Sequence, residues 1–357
     1  MNWILFGLMA GLLSYGIFAI YCATWMRPEH NYWSSQLIWA AIGLPMYFIV
    51  SLIDYRWIRY GAIPIYIAGI LGLVATIFFG TTQYGARSWL DLGVMNFQTS
   101  QLAIIAGIMT LAVFLEASKR LAPILRIMAC GAIVGAPWIM ILLQPDLGSC
   151  IVWLPVVLAM MFIGNIPKRW LITMIVIGLS MIPLVMNFGL KPYQYARLTT
   201  FINPDLDPRG DGWNINQSLI AIGSGGFSGK GLFARNTQNE LGFLPATIVH
   251  NDFIFSVMGE LTGFVGGILL IGAFALLLIT GLYVAMHADD DLGRLMSTGV
   301  VMLVFTHMFM NIGMTISVTP ITGLPLPLVS YGGSFLMIIL FSFGLLQSIW
   351  IHRKTVG

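Results

Sequence analysis

Phe243-Leu-Pro-Ala-Thr-Ile-Val-His-Asn-Asp-Phe-Ile-Phe-Ser-Val-Met-Gly-Glu260 closes the only long polar segment of the chain and opens another apolar run. Asp252 stands at the hinge between them, and Glu260 follows about two turns into the run. By helix geometry Glu260 lies ~12 Å deeper and ~80° around from Asp252. A carboxylate inside apolar sequence is costly enough to be read as functional by default. The remainder reads as a scaffold that gathers these acids and a few basic groups around one cavity.

Composition sets the medium. Of 357 residues, 58% are hydrophobic and 9% charged, whereas a soluble domain carries roughly a quarter charged residues. The chain is therefore an all-α polytopic membrane protein in expectation, with 11 Trp and 12 Tyr available as interfacial anchors. A net charge of +3 is too small to suggest nucleic acid. Cys22, Cys130 and Cys150 fall in or beside apolar runs, which suits buried thiols and not a disulfide framework. No metal-ligand spacing of Cys or His occurs. The first apolar run follows Met1-Asn2 directly, without a basic leader or a small-residue cleavage site, and reads as an anchor.

Runs long enough to cross a bilayer, ~20 residues each, fall near 3–25, 33–53, 61–79, 99–117, 124–143, 149–165, 170–190, 253–285, 295–316 and 330–351. The last two divide one uncharged stretch at Pro320, Gly323, Pro325 and Pro327. Ten transmembrane helices place both termini on one side. Arg56, Arg59, Lys119, Arg120, Arg126, Lys168, Arg169, Arg294, Arg353 and Lys354 sit in one set of connections, against Arg27 and Arg87 in the opposite short ones. The positive-inside rule makes the first set, and both termini, cytoplasmic. The large loop between helices 7 and 8, residues 191–252, is then extracytoplasmic. Its 62 residues hold ten charged groups, five of each sign. A loop of this length is functional or disordered. Ile215, Leu219 and Ile222 at helical spacing argue for a folded cap with one amphipathic helix at the membrane surface.

Each candidate residue has an ordinary reading beside the functional one. Asp252 reads as an N-cap for the eighth span or as a catalytic acid or base, and one residue can do both. Glu260 reads as a structural partner for a buried group or as part of a site. The run Gly223-Ser-Gly-Gly-Phe-Ser-Gly-Lys-Gly231 fails the Walker pattern, since Ser224 takes the first glycine position and Gly231 replaces the Ser/Thr. It remains either an anion-binding nest with Lys230 or plain turn chemistry. Arg87 and Trp89 grip a phosphate or sugar, or anchor the interface. Asp146 in Gln144-Pro-Asp-Leu-Gly148 caps a helix or touches substrate, and His250 and His307 read as hydrogen-bonded structure. Arg87, Asp146, Lys191, Arg197, Lys230, His250 and Asp252 all map to the same outer side. Such a mixture of signs at membrane level suits a substrate with an anionic head and a lipid tail.

The run Thr319-Pro-Ile-Thr-Gly-Leu-Pro-Leu-Pro-Leu-Val-Ser-Tyr-Gly-Gly-Ser334 resembles the signature of the shape, elongation, division and sporulation (SEDS) family. Gln144 to Gly148, Gln217-Ser-Leu-Ile-Ala-Ile-Gly-Ser-Gly-Gly226 with Gly229-Lys-Gly231, and His250-Asn-Asp-Phe-Ile-Phe255 are similar to its other blocks, in order. The resemblance covers nearly all of residues 1–357, read as a single membrane domain. Phe201 to Trp213 and the short tails resemble the elongation (RodA) type more than the division type.

The resemblance implies ten spans and a peptidoglycan glycosyltransferase that serves cell elongation and shape. Its substrate would be lipid II, an undecaprenyl-diphosphate disaccharide-pentapeptide, polymerised at the outer face of the bacterial cytoplasmic membrane. A class B penicillin-binding protein, a transpeptidase, would be its partner beside the membrane lipids. The family's essential aspartate falls on Asp252. Trp89, Asp146, Arg197, Lys230 and Glu260 match other sensitive positions, and Gln217, Ser218 and Ser330 lie within the matched blocks. Lys230, Arg197 and Arg87, with a divalent ion such as magnesium or manganese, are the groups expected to stabilise a leaving diphosphate.

Several positions depart from the family pattern, among them the segment between Pro245 and His250, which lacks the usual Glu and is longer by about two residues. Gln98-Thr-Ser-Gln101 replaces a Gln-Pro-Ser-Glu segment, Ile104 replaces a Lys, and Leu261 replaces the second acid after the Asp-Phe-Ile-Phe block. Losing an acid and a base together fits the removal of an internal ion pair, which apolar packing replaces at little cost. Two other functions stay open on the sequence alone. One is a lipid II flippase, which needs intramembrane charges that this chain largely lacks. The other is a non-catalytic scaffold that activates the transpeptidase.

Overall fold

The computed structural model describes residues 1–357 except 27–30, 84–85, 92, 94–95, 189–191, 209 and 354–357. Twelve α-helices run through it: α1 (Trp3–Thr24), α2 (Tyr32–Leu52), α3 (Ile58–Phe79), α4 (Thr99–Ala117), α5 (Pro123–Leu143), α6 (Leu147–Ile163), α7 (Lys168–Phe188), α8 (Pro192–Ile202), α9 (Asp211–Ser224), α10 (Ile254–Met286), α11 (Asp291–Thr315) and α12 (Gly333–Ile351). Among the described residues eight of them, α1–α5 and α10–α12, are long and apolar enough to cross a membrane. The 17-residue α6 is apolar but shorter, and α6 and α7 occupy the other two expected segments. The chain is a multi-pass, helical membrane protein.

Burial sorts the helices into layers. Most of α4, α11 and α12 is buried, whereas α1–α3, α5 and α10 expose large aliphatic side chains such as Ile38, Leu71 and Leu269. That inversion is what a lipid solvent demands, because apolar surface costs nothing against acyl chains. Small residues let the centre close. A Cβ on Gly344 of α12 would lie 2.9 Å from Val50 and 3.0 Å from the Tyr47 carbonyl of α2. Prolines inside α2, α3, α5 and α6 do not end these helices, because neighbours in the bundle satisfy the freed groups.

Two local features depart from the sequence reading. Residues between α3 and α4 form an antiparallel sheet in the order β1 (Thr81–Gln83), β2 (Ala86–Asp91), β3 (Asn96–Gln98), where only a loop is expected. Strands of three to six residues carry too few positions for an alternating pattern to show. The 191–252 segment holds two helices, α8 and α9, instead of one. Helix α9 does not lie free on a surface: Ile215, Ser218 and Ala221 are buried where it meets α10 and α11.

α10 is broken. Gly263 has φ 66° and ψ −163° within an otherwise helical run, and a helix interrupted there leaves amides and carbonyls unpaired. The glycine-rich segment repairs them. Lys230 and Gly231 donate their amides to the carbonyls of Glu260 and Leu261, both at 3.0 Å. In return Phe264 and Val265 donate to the carbonyls of Gly226 and Phe227. Gly229 has φ +81°, and a Cβ there would run into the Leu261 carbonyl. Glycine is needed for backbone to approach backbone, and the anion-nest reading gives way to this docking role.

Candidate active site

Asp252 sits in a tight turn at the end of the bundle that carries α8 and α9. The Ile248 carbonyl accepts from the amides of Asn251, Asp252 and Phe253. Phe253, fully buried, seats the turn against Ile215, Ile321, Met314 and Ile248. The carboxylate is itself buried, at 8% exposure, and among the described residues its Oδ1 accepts no hydrogen bond. Burial pushes its pKa up to about 7, with the Arg197 guanidinium pulling the other way. The N-cap reading is corrected here. α10 starts at Ile254, Phe253 takes the cap position without a side-chain bond, and Asp252 caps nothing. Its Oδ2 instead faces Gly323, 3.6 Å from where a Cβ would stand on that glycine.

The loop between α11 and α12 closes over this turn. Ser330 Oγ donates to the Asn251 carbonyl at 2.6 Å and accepts from the Leu326 amide at 2.9 Å. Gln36 of α2 donates to the Ser330 carbonyl and accepts from the Gly332 amide. The Tyr331 amide donates to the His250 carbonyl, and the His250 ring stacks on Tyr32 at 3.8 Å between centroids. Asn311 of α11, fully buried, donates to the carbonyls of Asp252 (3.1 Å) and Leu324 (2.8 Å). Arg197 of α8 pairs with Asp211 at 3.4 Å and supplies the positive field felt by Asp252.

A second carboxylate, Asp146, lies across the same loop. It caps α6 by accepting from the Ser149 amide, and its other oxygen accepts from Ser149 Oγ, Ser100 Oγ and Gln98 Nε2. Gly148 two residues on packs against the Thr322 carbonyl, 2.6 Å from a would-be Cβ. Asp146 is thus a satisfied acid that sets β3, α4 and the loop around the site.

The other sequence candidates have partners of their own. Glu260, with its side chain 1% exposed, bonds Lys230 Nζ at 2.6 Å, Ser224 Oγ at 3.2 Å and the Gln238 amide at 3.0 Å. Arg87 donates to the Gly80 and Phe78 carbonyls and so closes the exposed end of α3. Trp89 is held in β2 opposite Gln98 and Thr81. Ser218 bonds Ser256 Oγ and the Thr315 carbonyl, both at 2.7 Å, tying α9 to α10 and α11, and Gln217 is buried beside it. Lys191 lies outside the described residues. Of the three cations expected around one diphosphate, Arg197 is the one within the electrostatic surroundings of Asp252; Lys230 and Arg87 are committed elsewhere. Asn311 is not among the sequence candidates, and Gly323 enters there only as a divider of two spans. An amide in an uncharged apolar run and a glycine among prolines were the available signals.

The FtsW/RodA/SpoVE family model, described as a cell cycle protein, matches residues 1–355. The chain belongs to this family. These are the SEDS proteins, and the curated SEDS relatives include the peptidoglycan glycosyltransferase MrdB of Escherichia coli (strain K12), 37% identical over 89% of this chain and 85% of that one. The peptidoglycan glycosyltransferase RodA of Treponema pallidum (strain Nichols) is 33% identical over 96% of this chain and 95% of its own length. Among solved SEDS structures, a chain of a peptidoglycan synthase complex that coordinates polymerization and crosslinking superposes with a TM-score of 0.83 at 29% identity, covering 99% of this chain and 98% of the other. The rod shape determining protein RodA of Thermus thermophilus gives 0.75 at 27%, over the same shares.

The positions read as departures from the SEDS pattern differ in how the fold accommodates them. Ile104 is fully buried in the main core, Leu261 is buried beside the α10 break, and Gln101 is buried with its Nε2 unpartnered. On the lipid side a groove of about 640 Å³ runs between α1 and α10, lined by Gly7, Gly11, Tyr15, Gly231, Thr262 and Ala273 among others. Its upper end meets the glycine-rich segment.

Proposed function

We propose that Asp252 is the general base of a peptidoglycan glycosyltransferase that polymerises lipid II. The observation that carries the reading is a buried carboxylate with one oxygen unclaimed by any described residue, held by backbone ties on both sides. A base works best when its pKa lies near the operating pH, and burial lifts Asp252 to about 7.

In the reaction Asp252 takes the proton of the acceptor sugar hydroxyl as that oxygen attacks the anomeric carbon of the donor. The bond from that carbon to the diphosphate oxygen breaks, and the diphosphate leaves with its polyprenyl chain. Arg197, whose charge acts on Asp252, would favour the charge that develops there. The apolar groove between α1 and α10 supports a substrate that stays in the bilayer. Magnesium is commonly held by one or two carboxylates together with substrate phosphates and water. Among the described residues no three His, Cys, Asp or Glu converge, so a divalent ion here would depend on the substrate diphosphate for most of its ligands.

The chain would act in the bacterial cytoplasmic membrane with both termini inside and α8 and α9 outside, beside a class B penicillin-binding protein. Support for the orientation comes from ten basic groups in one set of connections against two in the other. The flippase reading fits less well, because the buried charged side chains that would line a path are few: Arg126, Asp252 and Glu260. The test is polymerisation of purified lipid II in detergent, with no second compartment. Glycan strands from wild-type protein and none from Asp252→Asn support the enzyme. A folded wild-type protein that stays inactive with its partner present would return the scaffold reading.

A further inference from the structure

Asn311 is a fully buried amide near the end of α11, and such a group is costly unless bonded. Its Nδ2 spans two segments distant in sequence, donating to the Asp252 carbonyl at 3.1 Å and to the Leu324 carbonyl at 2.8 Å. Two carbonyl acceptors require the nitrogen to point this way. Ser330 makes the matching tie from the far end of the loop, donating to the Asn251 carbonyl. The carbonyls of Asn251 and Asp252 are thus gripped from both flanks of one loop. That loop carries Pro320, Pro325 and Pro327, and its Gly323, at φ +69°, faces the Asp252 carboxylate.

We infer that Asn311 is a positioning residue for Asp252: by clamping the proline-rich loop to the turn it holds the carboxylate against Gly323 and keeps water from it. The inference rests on Asp252 being the base and adds which group sets its geometry and its hydration. Asn311 touches the main chain of Asp252 and not the reacting oxygen, so it acts through another residue.

The titratable groups that face this turn set what a pH measurement will read. Arg197 on α8 and its partner Asp211 on α9 lie on one side. His250 belongs to the turn itself, His307 lies one helical turn from Asn311 on α11, and Asp146 stands behind the loop. The stretch Thr319 to Leu328 holds no ionisable side chain. A change in the titration of Asp252 on altering Asn311 would therefore come through packing and hydration.

The experiment follows Asp252 by infrared difference spectroscopy across pH in the purified full chain. The Asp252 band is assigned by its absence in Asp252→Asn. Lipid II turnover is measured in parallel. Asn311→Leu keeps the volume and removes both donors. The titration midpoint of Asp252 should fall towards the ordinary carboxylate range as water enters. The acid limb of the rate profile should follow it, with kcat down about a hundredfold and KM within about twofold. Asn311→Thr, which keeps one donor, should fall between.

An unchanged midpoint in a folded Asn311→Leu protein overturns the inference, and so does a loss of kcat with the acid limb in place. Should Asn311→Leu fail to purify, Asn311→Thr and Gly323→Ala read the same two quantities, and wild-type midpoints in both overturn it equally. A wild-type protein that makes no glycan would sink the enzymatic reading, while the infrared midpoint would still decide the clamp.

Discussion

Two aspartates stand just before consecutive helices at opposite ends of the bundle, and the chain treats them in opposite ways. Asp290 caps α11 by accepting from the Gly293 amide, and it also accepts from Tyr55 Oη and Arg59 Nη2, both at 2.7 Å. Around it Arg59 grips Glu116 and Arg56 reaches Asp289. Burial would raise Asp290, yet the Gly293 amide, Tyr55 and Arg59 together hold it below the usual carboxylate range. Asp252 does not cap α10, leaves an oxygen without a donor among the described residues, and is lifted to about 7 by burial. A saturated acid holds the fold; an acid left short of partners is available for chemistry. The sign of the pKa shift separates the two roles, and the contexts differ as well: Asp252 directly precedes Phe253-Ile-Phe255, whereas Asp290 sits within Asp289-Asp-Asp291 ahead of Arg294.

The largest expected contrast comes from the same substitution at both places. Asp252→Asn should lower glycan synthesis by roughly 10²- to 10⁴-fold, the worth of a general base, without lowering the melting temperature at pH 8. A carboxyl with a raised folded pKa contributes stability in acid that is lost as pH rises through about 7. A neutral amide there loses nothing in alkali. Asp290→Asn should do the reverse, costing about 1.5–3 kcal/mol from lost charged hydrogen bonds and leaving turnover per folded molecule alone. Because the folded pKa of Asp290 is depressed, its contribution is present at neutral pH and disappears as acid protonates it. Thermal melts and lipid II assays on the two proteins decide the contrast; equal losses of turnover would erase it.

A second measurement sharpens it through pH alone. Wild-type turnover should rise through about pH 7 and be roughly tenfold lower at pH 6 than its plateau, as the base is protonated. Arg197→Gln removes a charge that pulls Asp252 down, so the midpoint of this limb should move to higher pH. An unmoved midpoint would mean that Arg197 does not act on Asp252.

Glu260, eight residues beyond Asp252, extends the lesson, since it too is saturated. Gly229→Ala should disturb the segment that brings Lys230 to it. The position combines φ +81° with a clash against the Leu261 carbonyl, so a loss of about 1–3 kcal/mol is expected. Urea unfolding followed by tryptophan fluorescence would measure it. Wild-type stability would show that the α10 break does not need the docked glycine segment.

How far the sequence carried the reading depends on the range of the contact. The apolar runs located the long helices, because burial in lipid is written in consecutive residues. Asp146 was readable as a cap, because its partner Ser149 is three residues away. The Lys230–Glu260 pair spans 30 residues and the Asn311–Asp252 tie 59, and neither leaves a local pattern. The glycine-rich segment misled for a related reason. Glycine serves anion binding and close backbone approach alike, and the difference lies in what stands opposite, here the broken stretch of α10. The expectation that Arg87, Lys230 and Arg197 gather around one diphosphate draws only on a shared membrane side, while the side-chain bonds of Arg87 and Lys230 go to the end of α3 and to Glu260.

The smallest expected effect tests that last distinction. Arg87 is exposed and its guanidinium is spent on the Gly80 and Phe78 carbonyls at the end of α3. A cation gripping a substrate phosphate would, on removal, raise KM for lipid II many-fold. A solvent-facing group that closes a helix end is worth a few tenths of a kcal/mol, about 0.3–1 at most. Arg87→Ala should therefore shift the melting temperature slightly and leave KM and kcat within about twofold. A tenfold rise in KM would bring Arg87 back to the substrate and show that its bonds to α3 are exchanged for phosphate on binding. The site would then assemble around the lipid headgroup and not be preformed at Asp252 alone.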